Sequence, residues 1–457
     1  MSGKWDLVVS EDDRSLVKSD GTPWFWLGDT AWDLFTRLTR EEVDTYFRNR
    51  ADKGFTVIQA VLAMGMHGEF NAPNAYDHRP FLARSTEPDL RAAESFWTHV
   101  DHILQTAAQN GLYLGLLPLW GYDYVAGRGY GGGKLRTEIA FDQESATAYA
   151  EFLASRYSST PNIIWINGGD VAGDENGDAD VALWRSIGET LKRVDPDHLV
   201  TFHPAGRHSS SSHFHGDAWL DFNMIQSGQK KKDFPSDEMI DTDYALSPAK
   251  PVLDGEPRYE GHPLEWKPAN GFRQAFDVRQ AAYWSLFAGS FGHTYGHANL
   301  WRFTVSGRRL VTQHSDMLDL DWQEAMDFPG AYQMTYVRRL MLSRPLVGRR
   351  PAQSLLAGNY PGGARVRATL GDGYAFFYSP CGEPIGVTAR RLGWRASSCW
   401  WYDPRTGTAH QAVPASDGDI RAFSPPGRPY RGNDWVLVID DASRDFRPPG
   451  AGRAEAG

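Results

Sequence analysis

Only two cysteines, Cys381 and Cys399, occur in 457 residues. That scarcity excludes a disulfide framework, and at most one local bridge between the two is open to the chain. Long apolar runs are missing as well, so no membrane partner is expected. The opening Met1-Ser2-Gly3-Lys4-Trp5-Asp6 lacks the hydrophobic stretch of a signal peptide, which points to a cytoplasmic location. There is no surplus of positive charge. Lys and Arg number 47 against 57 Asp and Glu, and the formal net charge of -10 excludes a nucleic-acid partner, whose phosphates demand the opposite sign. Lys230-Lys231-Lys232 lies among Asp233, Asp237, Glu238 and Asp241 and reads as a solvated loop of mixed charge. No Gly-x-Gly-x-x-Gly follows an early strand, and Gly131-Gly132-Gly133-Lys134 lacks the spacing of a phosphate loop. His293 and His297 have the spacing of metal ligands on a helix, but they sit among glycines without a zincin glutamate. Neither metal nor organic cofactor is therefore expected.

Aromatic residues are abundant: 17 Trp, 19 Tyr and 23 Phe. They serve a large core, and their ring faces also suit the apolar C–H faces of sugars. From Pro23 onward, β-prone apolar runs alternate with helix-period segments. The runs are Pro23–Gly28, Thr56–Leu62, Tyr113–Leu119 and Asn162–Ile166, then Leu199–His203, Phe222–Gln226, Pro251–Leu253 and Gly289–Thr294. Thr39 and Glu42 form a capping box at the head of one helix. Further helices are predicted over Trp97–Gln109, Gln143–Tyr157, Val181–Val194, Arg273–Phe287 and Asp321–Ser343, with a weak unit around Ser209–Ser212. Eight strands alternating with helices predict an α/β fold, a (β/α)8 TIM barrel over residues 23–345. Residues 1–22 read as an N-terminal hairpin segment. Past Pro345, short strands and Gly, Pro and Asp turns predict a small C-terminal antiparallel β-sandwich over 346–445, then a disordered tail over 446–457.

Barrels of this type carry function at the C-terminal ends of their strands. Those ends hold Asp29 and Trp32, Gln59, Trp120, Asp170, His203, Gln226, Glu256 with Tyr259, and His293 with Tyr295; Trp301 lies just beyond. Glycosidic cleavage needs a proton donor to the leaving oxygen and a second carboxylate facing the anomeric carbon. Asp170 and Glu256, at the ends of the fourth and seventh strands, can converge from opposite sides of the mouth. Asp254 is a secondary candidate, suited to orienting a neighbour. Negative charge on Glu256 raises the pKa of Asp170, which suits Asp170 as general acid/base and Glu256 as nucleophile. Tyr259, Tyr295, His203 and Gln226 can hydrogen-bond the nucleophile or sugar hydroxyls, as can His293, and Asp29 and Gln59 are further substrate-binding candidates. Trp32, Trp120 and Trp301 are the expected stacking platforms.

Longer motifs carry a resemblance. Pro23-Trp-Phe-Trp-Leu-Gly-Asp-Thr-Ala-Trp-Asp33, Lys53-Gly-Phe-Thr-Val-Ile-Gln59, Pro161-Asn-Ile-Ile-Trp-Ile-Asn-Gly-Gly-Asp170 and Pro251-Val-Leu-Asp-Gly-Glu-Pro257 resemble the apiosidase-like glycoside hydrolases of family 140. The likeness spans the barrel and reaches Trp401–Gly407 and Asp434–Leu437 in the terminal domain. It implies a retaining hydrolase with Asp170 as acid/base and Glu256 as nucleophile, and an oligosaccharide or glycoside as partner. A cellulase- or mannanase-like hydrolase, a transglycosylase, and a carbohydrate-binding protein without turnover are the other readings. The oligomeric state is left open.

Overall fold

The computed structural model describes residues 6–63, 71–121, 141–174, 177–307, 318–416 and 418–451. Gly131–Lys134 and the last six residues of the chain therefore lie outside the described residues. Six parallel strands form one curled sheet. In chain order they are β1 (Trp26–Thr30), β2 (Val57–Ala63), β3 (Tyr113–Leu119), β4 (Ile163–Val171), β5 (Val200–Pro204) and β8 (Gly292–Tyr295), ordered β8-β1-β2-β3-β4-β5. A parallel pair, β6 (Asn223–Gln226) and β7 (Val252–Asp254), stands between the two edges. Asp221 N–H donates to Val200 O (2.9 Å) on one side, and Phe291 N–H to Val252 O (3.1 Å) on the other. The arrangement is TIM-barrel-like, with strands buried on both faces, which is why their sequences are nearly continuous apolar runs.

The helices begin where local chemistry satisfies their free N–H groups. Thr39 and Glu42 close the capping box of Arg40–Asp52, and Ser95 and Asp142 cap Phe96–Gln109 and Gln143–Tyr157. The single helix predicted over Asp321–Ser343 is two, Trp322–Ala325 and Pro329–Leu342. Pro329 has no N–H to give to a preceding turn and instead takes the first helical position. After β5 the outer unit shrinks to one turn, Ser211–Phe214.

The C-terminal domain is a six-stranded antiparallel sheet facing a two-stranded one, Ile385–Thr388 with Ile420–Phe423. Both cysteines in it are free. The tail expected to be disordered from residue 446 is held at its start. Phe446 lies under Arg344, and Gly450 O accepts from Arg339 Nη2 (2.7 Å). Among the described residues, no helix is long and apolar enough to cross a membrane.

Candidate active site

The end of β4 departs from a regular strand. Gly168 and Gly169 have φ of 89° and 111°, Asp170 follows at 53°, and the pairing with β5 shifts register between Gly168 and Val171. A Cβ on Gly168 would stand 2.6 Å from His203 O, and one on Gly169 would stand 2.8 Å from Gly121 N, so only glycine fits either position. This bulge turns Asp170 out of the sheet and into a pocket of about 190 Å³. There the carboxyl meets the Gln226 side chain and the Gly206 N–H. Burial first, then the charge of Glu256, push its pKa up to about 7.

Glu256 reaches the same pocket from the far side of the mouth. Gln59, fully buried, donates Nε2 to Gly255 O (2.8 Å) and so fixes the backbone just before it. A Cβ on Gly255 would press on Met224 Sδ at 2.4 Å, which accounts for the glycine in Asp254-Gly255-Glu256. His203, buried beneath the pocket, links the two acids. Its Nδ1 accepts the Asp170 N–H (3.4 Å), so the proton of the neutral ring belongs on Nε2, which stands 3.1 Å from Glu256 Oε2. That last contact is close without being aligned as a hydrogen bond. The Tyr259 hydroxyl faces Glu256, Thr30 and Trp32, and burial and the Glu256 charge hold it well above the usual phenol pKa, as a donor.

Trp32 and Trp120 pack ring to ring (5.3 Å), and the His203 ring sits 5.3 Å from the first and 5.7 Å from the second. Trp32, Trp120 and Trp301 form the pocket's inner wall. Seven of the residues expected at the site thus share the lining: Trp32, Trp120, Asp170, Gln226, Glu256, Tyr259 and Trp301. Gln59 and His203 lie behind it.

The other expected residues lie outside the lining. Asp29 is fully buried, accepting from Tyr46 Oη (2.7 Å) and Arg50 Nη1 (3.2 Å). Tyr295 donates to Glu260 Oε2 (2.7 Å). His293 and His297 are buried and neutral, with burial lowering both pKa values to about 3. Asp254 is also buried inside the strand, accepting from Ser227 N–H (3.2 Å), and desolvation raises it to about 7. Strand-end position alone did not separate these residues from the lining. The reading of strand ends also passed over Arg207, Lys230, His262 and Trp266, which stand on the loops beyond. A tryptophan flanked by Glu265 and Lys267, ten positions after Glu256, is the signal that could have found the last.

The profile of the apiosidase-like catalytic domain matches residues 10–348. The chain belongs to the apiosidase-like family of glycoside hydrolases. Residues 350–440 of this apiosidase-like hydrolase match a collagen-binding-like domain. A solved structure described as a glycoside hydrolase is 34% identical, with a TM-score of 0.86 over 97% of this chain and 98% of its own. A glycoside hydrolase family 5 structure from Bacteroides vulgatus is 32% identical, with a TM-score of 0.87 over 99% and 96%. A family 39 glycoside hydrolase from Bacteroides cellulosilyticus shares the fold at 14% identity, with a TM-score of 0.54 over 93% and 84%. No curated protein sequence matches the chain.

Proposed function

We propose that this hydrolase cleaves O-glycosidic bonds of plant or microbial glycans with retention of configuration, using Asp170 as acid/base and Glu256 as nucleophile. The observation that carries the reading is the pairing of the two acids in one pocket on either side of His203, where burial and then the Glu256 charge lift Asp170 to about 7. In a retaining enzyme the two carboxyls stand about 5–5.5 Å apart, one as acid/base and the other as nucleophile. The two segments β8 through β5 and β6–β7 then act as one eight-stranded barrel with the acids at its mouth.

In the first step a Glu256 oxygen bonds the anomeric carbon as the glycosidic C–O bond breaks, and Asp170 passes its proton to the departing oxygen. Forming the ester removes the Glu256 charge, so Asp170 becomes a stronger acid and remains as carboxylate. It then takes a proton from water, whose oxygen attacks the anomeric carbon and frees Glu256. Trp32, Trp120 and Trp301 supply apolar faces for the sugar ring, and Tyr259 turns a hydroxyl donor toward Glu256. The family name makes an apiosyl glycon the first sugar to try.

Turnover of an aryl glycoside panel, apiosides included, tests the assignment. Asp170→Ala is expected to cost about 10²–10⁴-fold with poor leaving groups and less with dinitrophenolate. Glu256→Ala should lose turnover altogether. Wild-type rates in both variants would remove these acids from the mechanism. A fluorinated glycoside should label Glu256, and label on another residue would overturn its role.

A further inference from the structure

The chain beyond β7 leaves the barrel as a narrow hairpin. Gly261 N–H donates to Arg273 O (3.0 Å), Arg273 N–H to His262 O (2.9 Å) and Leu264 N–H to Gly271 O (2.9 Å), with Pro263 bridged to Phe272. Such a stem carries its tip as a fixed arm. At the tip, Glu265 and Trp266 both adopt left-handed backbone conformations, with φ of 54° and 63°. Side chains with a Cβ rarely hold that conformation, and it persists where surrounding structure enforces it. The result is an indole that is 44% exposed, set edge-on to His262 (ring centroids 4.4 Å apart, 89° between planes). The three tryptophans of the inner wall are at most 6% exposed. Trp266 nonetheless lines the same pocket as Asp170 and Glu256, on its outer side. A large apolar ring, part-exposed on a braced, strained loop and lining the same pocket as the two carboxylates, is placed to meet a ligand there.

We propose that Trp266 is the platform of a second sugar subsite, stacking on the apolar face of a ring next to the one held between the carboxylates. The proposal rests on the glycosidase reading above and adds to it that the substrate is at least two sugar rings long where it is bound. His262 holds the indole upright, and the inner tryptophans grip the reacting ring.

The test uses the full chain carrying Glu256→Gln, so that glycans bind without being cleaved. Its retardation in native gels containing galactomannan, arabinoxylan, hydroxyethylcellulose or pectin is compared with that of the same protein carrying Trp266→Ala or Trp266→Phe. At least one glycan should retard the parent. Trp266→Ala should weaken that retention about tenfold, and Trp266→Phe, which keeps an aromatic face, should retain most of it. Equal retention in the alanine variant overturns the subsite. So does the absence of retardation by every glycan while the wild type hydrolyses aryl glycosides, an outcome that leaves the hydrolase reading standing. Absence of both retention and aryl glycoside hydrolysis would defeat the glycosidase reading and the subsite with it.

Discussion

Asp170 is reached through two left-handed glycines, and its own left-handed backbone points the carboxyl at the charge of Glu256. Activity should follow its proton. For a substrate with a poor leaving group, kcat/KM is expected to fall above about pH 7 as that proton is lost. In Glu256→Gln, which removes the like charge, the carboxyl should titrate lower by ¹³C NMR; an unchanged titration would mean burial alone sets it. Stability has the same sign. The folded value of about 7 lies above the ordinary 3.8, so the folded protein binds this proton more tightly than the unfolded chain does. The resulting stability is complete below about pH 4 and is lost as pH rises through about 7. Asp254 and Glu260 are also raised to about 7, chiefly by burial, and add to the effect. Tm should therefore fall between about pH 5 and pH 8. Glu260→Gln, which keeps an acceptor for Tyr295 and Gly330, should flatten part of that fall. A Tm rising over the interval would contradict the account.

Part of the pocket lining, Gln229 and Lys230, belongs to a loop that runs on to Asp233. Lys230, Lys231 and Lys232 are exposed, as a loop of mixed charge should be, but their main chain is clamped. Arg273 Nη2 donates to Gln229 O (2.6 Å) and Lys231 O (3.2 Å), and Arg258 Nη1 donates to Lys232 O (2.9 Å). Gln229 ties the loop to the segment after Glu256, donating to Pro257 O (2.7 Å) and accepting from Tyr259 N–H (2.9 Å). Burial and the neighbouring Arg258 lower Arg273 to about 9, so the guanidinium stays charged at neutral pH. Replacing Arg273 with Met removes the donors while roughly keeping the bulk. It should cost roughly 1–3 kcal/mol of stability, chiefly through the buried Gln229 carbonyl left unsatisfied, and kcat/KM should drop by about tenfold or more as the pocket wall loosens. Unchanged kinetics together with unchanged Tm would show that the clamp is idle.

At the scale of the whole molecule the two domains share a core. Tyr283, Trp284 and Phe287, on the helix Ala275–Phe287, pack with Tyr378, Phe376 and Val436 of the sandwich. Tyr283 stacks on Tyr378 at 4.7 Å. Arg279 grips Asp434 with two bonds (2.6 and 2.9 Å), and Arg344 does the same to Asp440 (2.7 and 2.8 Å), all four side chains being buried. Arg431 crosses from the sandwich to Asp233 and Asp277, reaching the base of the pocket wall. Stranding one member of a buried ion pair costs about 3–5 kcal/mol. A chain ended at residue 348 should therefore be aggregated or molten, with weak near-UV circular dichroism and no sharp thermal transition. A monomeric, fully active truncation would show that the terminal domain is a detachable module.

What the sequence determined by itself was whatever short-range chemistry decides. The Thr39–Glu42 box and the apolar strand runs draw on neighbouring residues only, and both are readable in the order of the chain. The carboxylate pair was legible because it occupies two strand ends whose positions follow from counting. Tertiary structure decided which other strand-end groups face the pocket. Asp29 is claimed by Arg50, 21 residues on, and Tyr295 by Glu260, 35 residues back. The hold of Arg279 on Asp434 spans 155 residues. A side chain's direction and its competing partners arrive from distant segments when the chain packs, so local pattern cannot allot them. For the same reason Trp266 joined the pocket lining only once the ladder from Gly261 to Arg273 had formed.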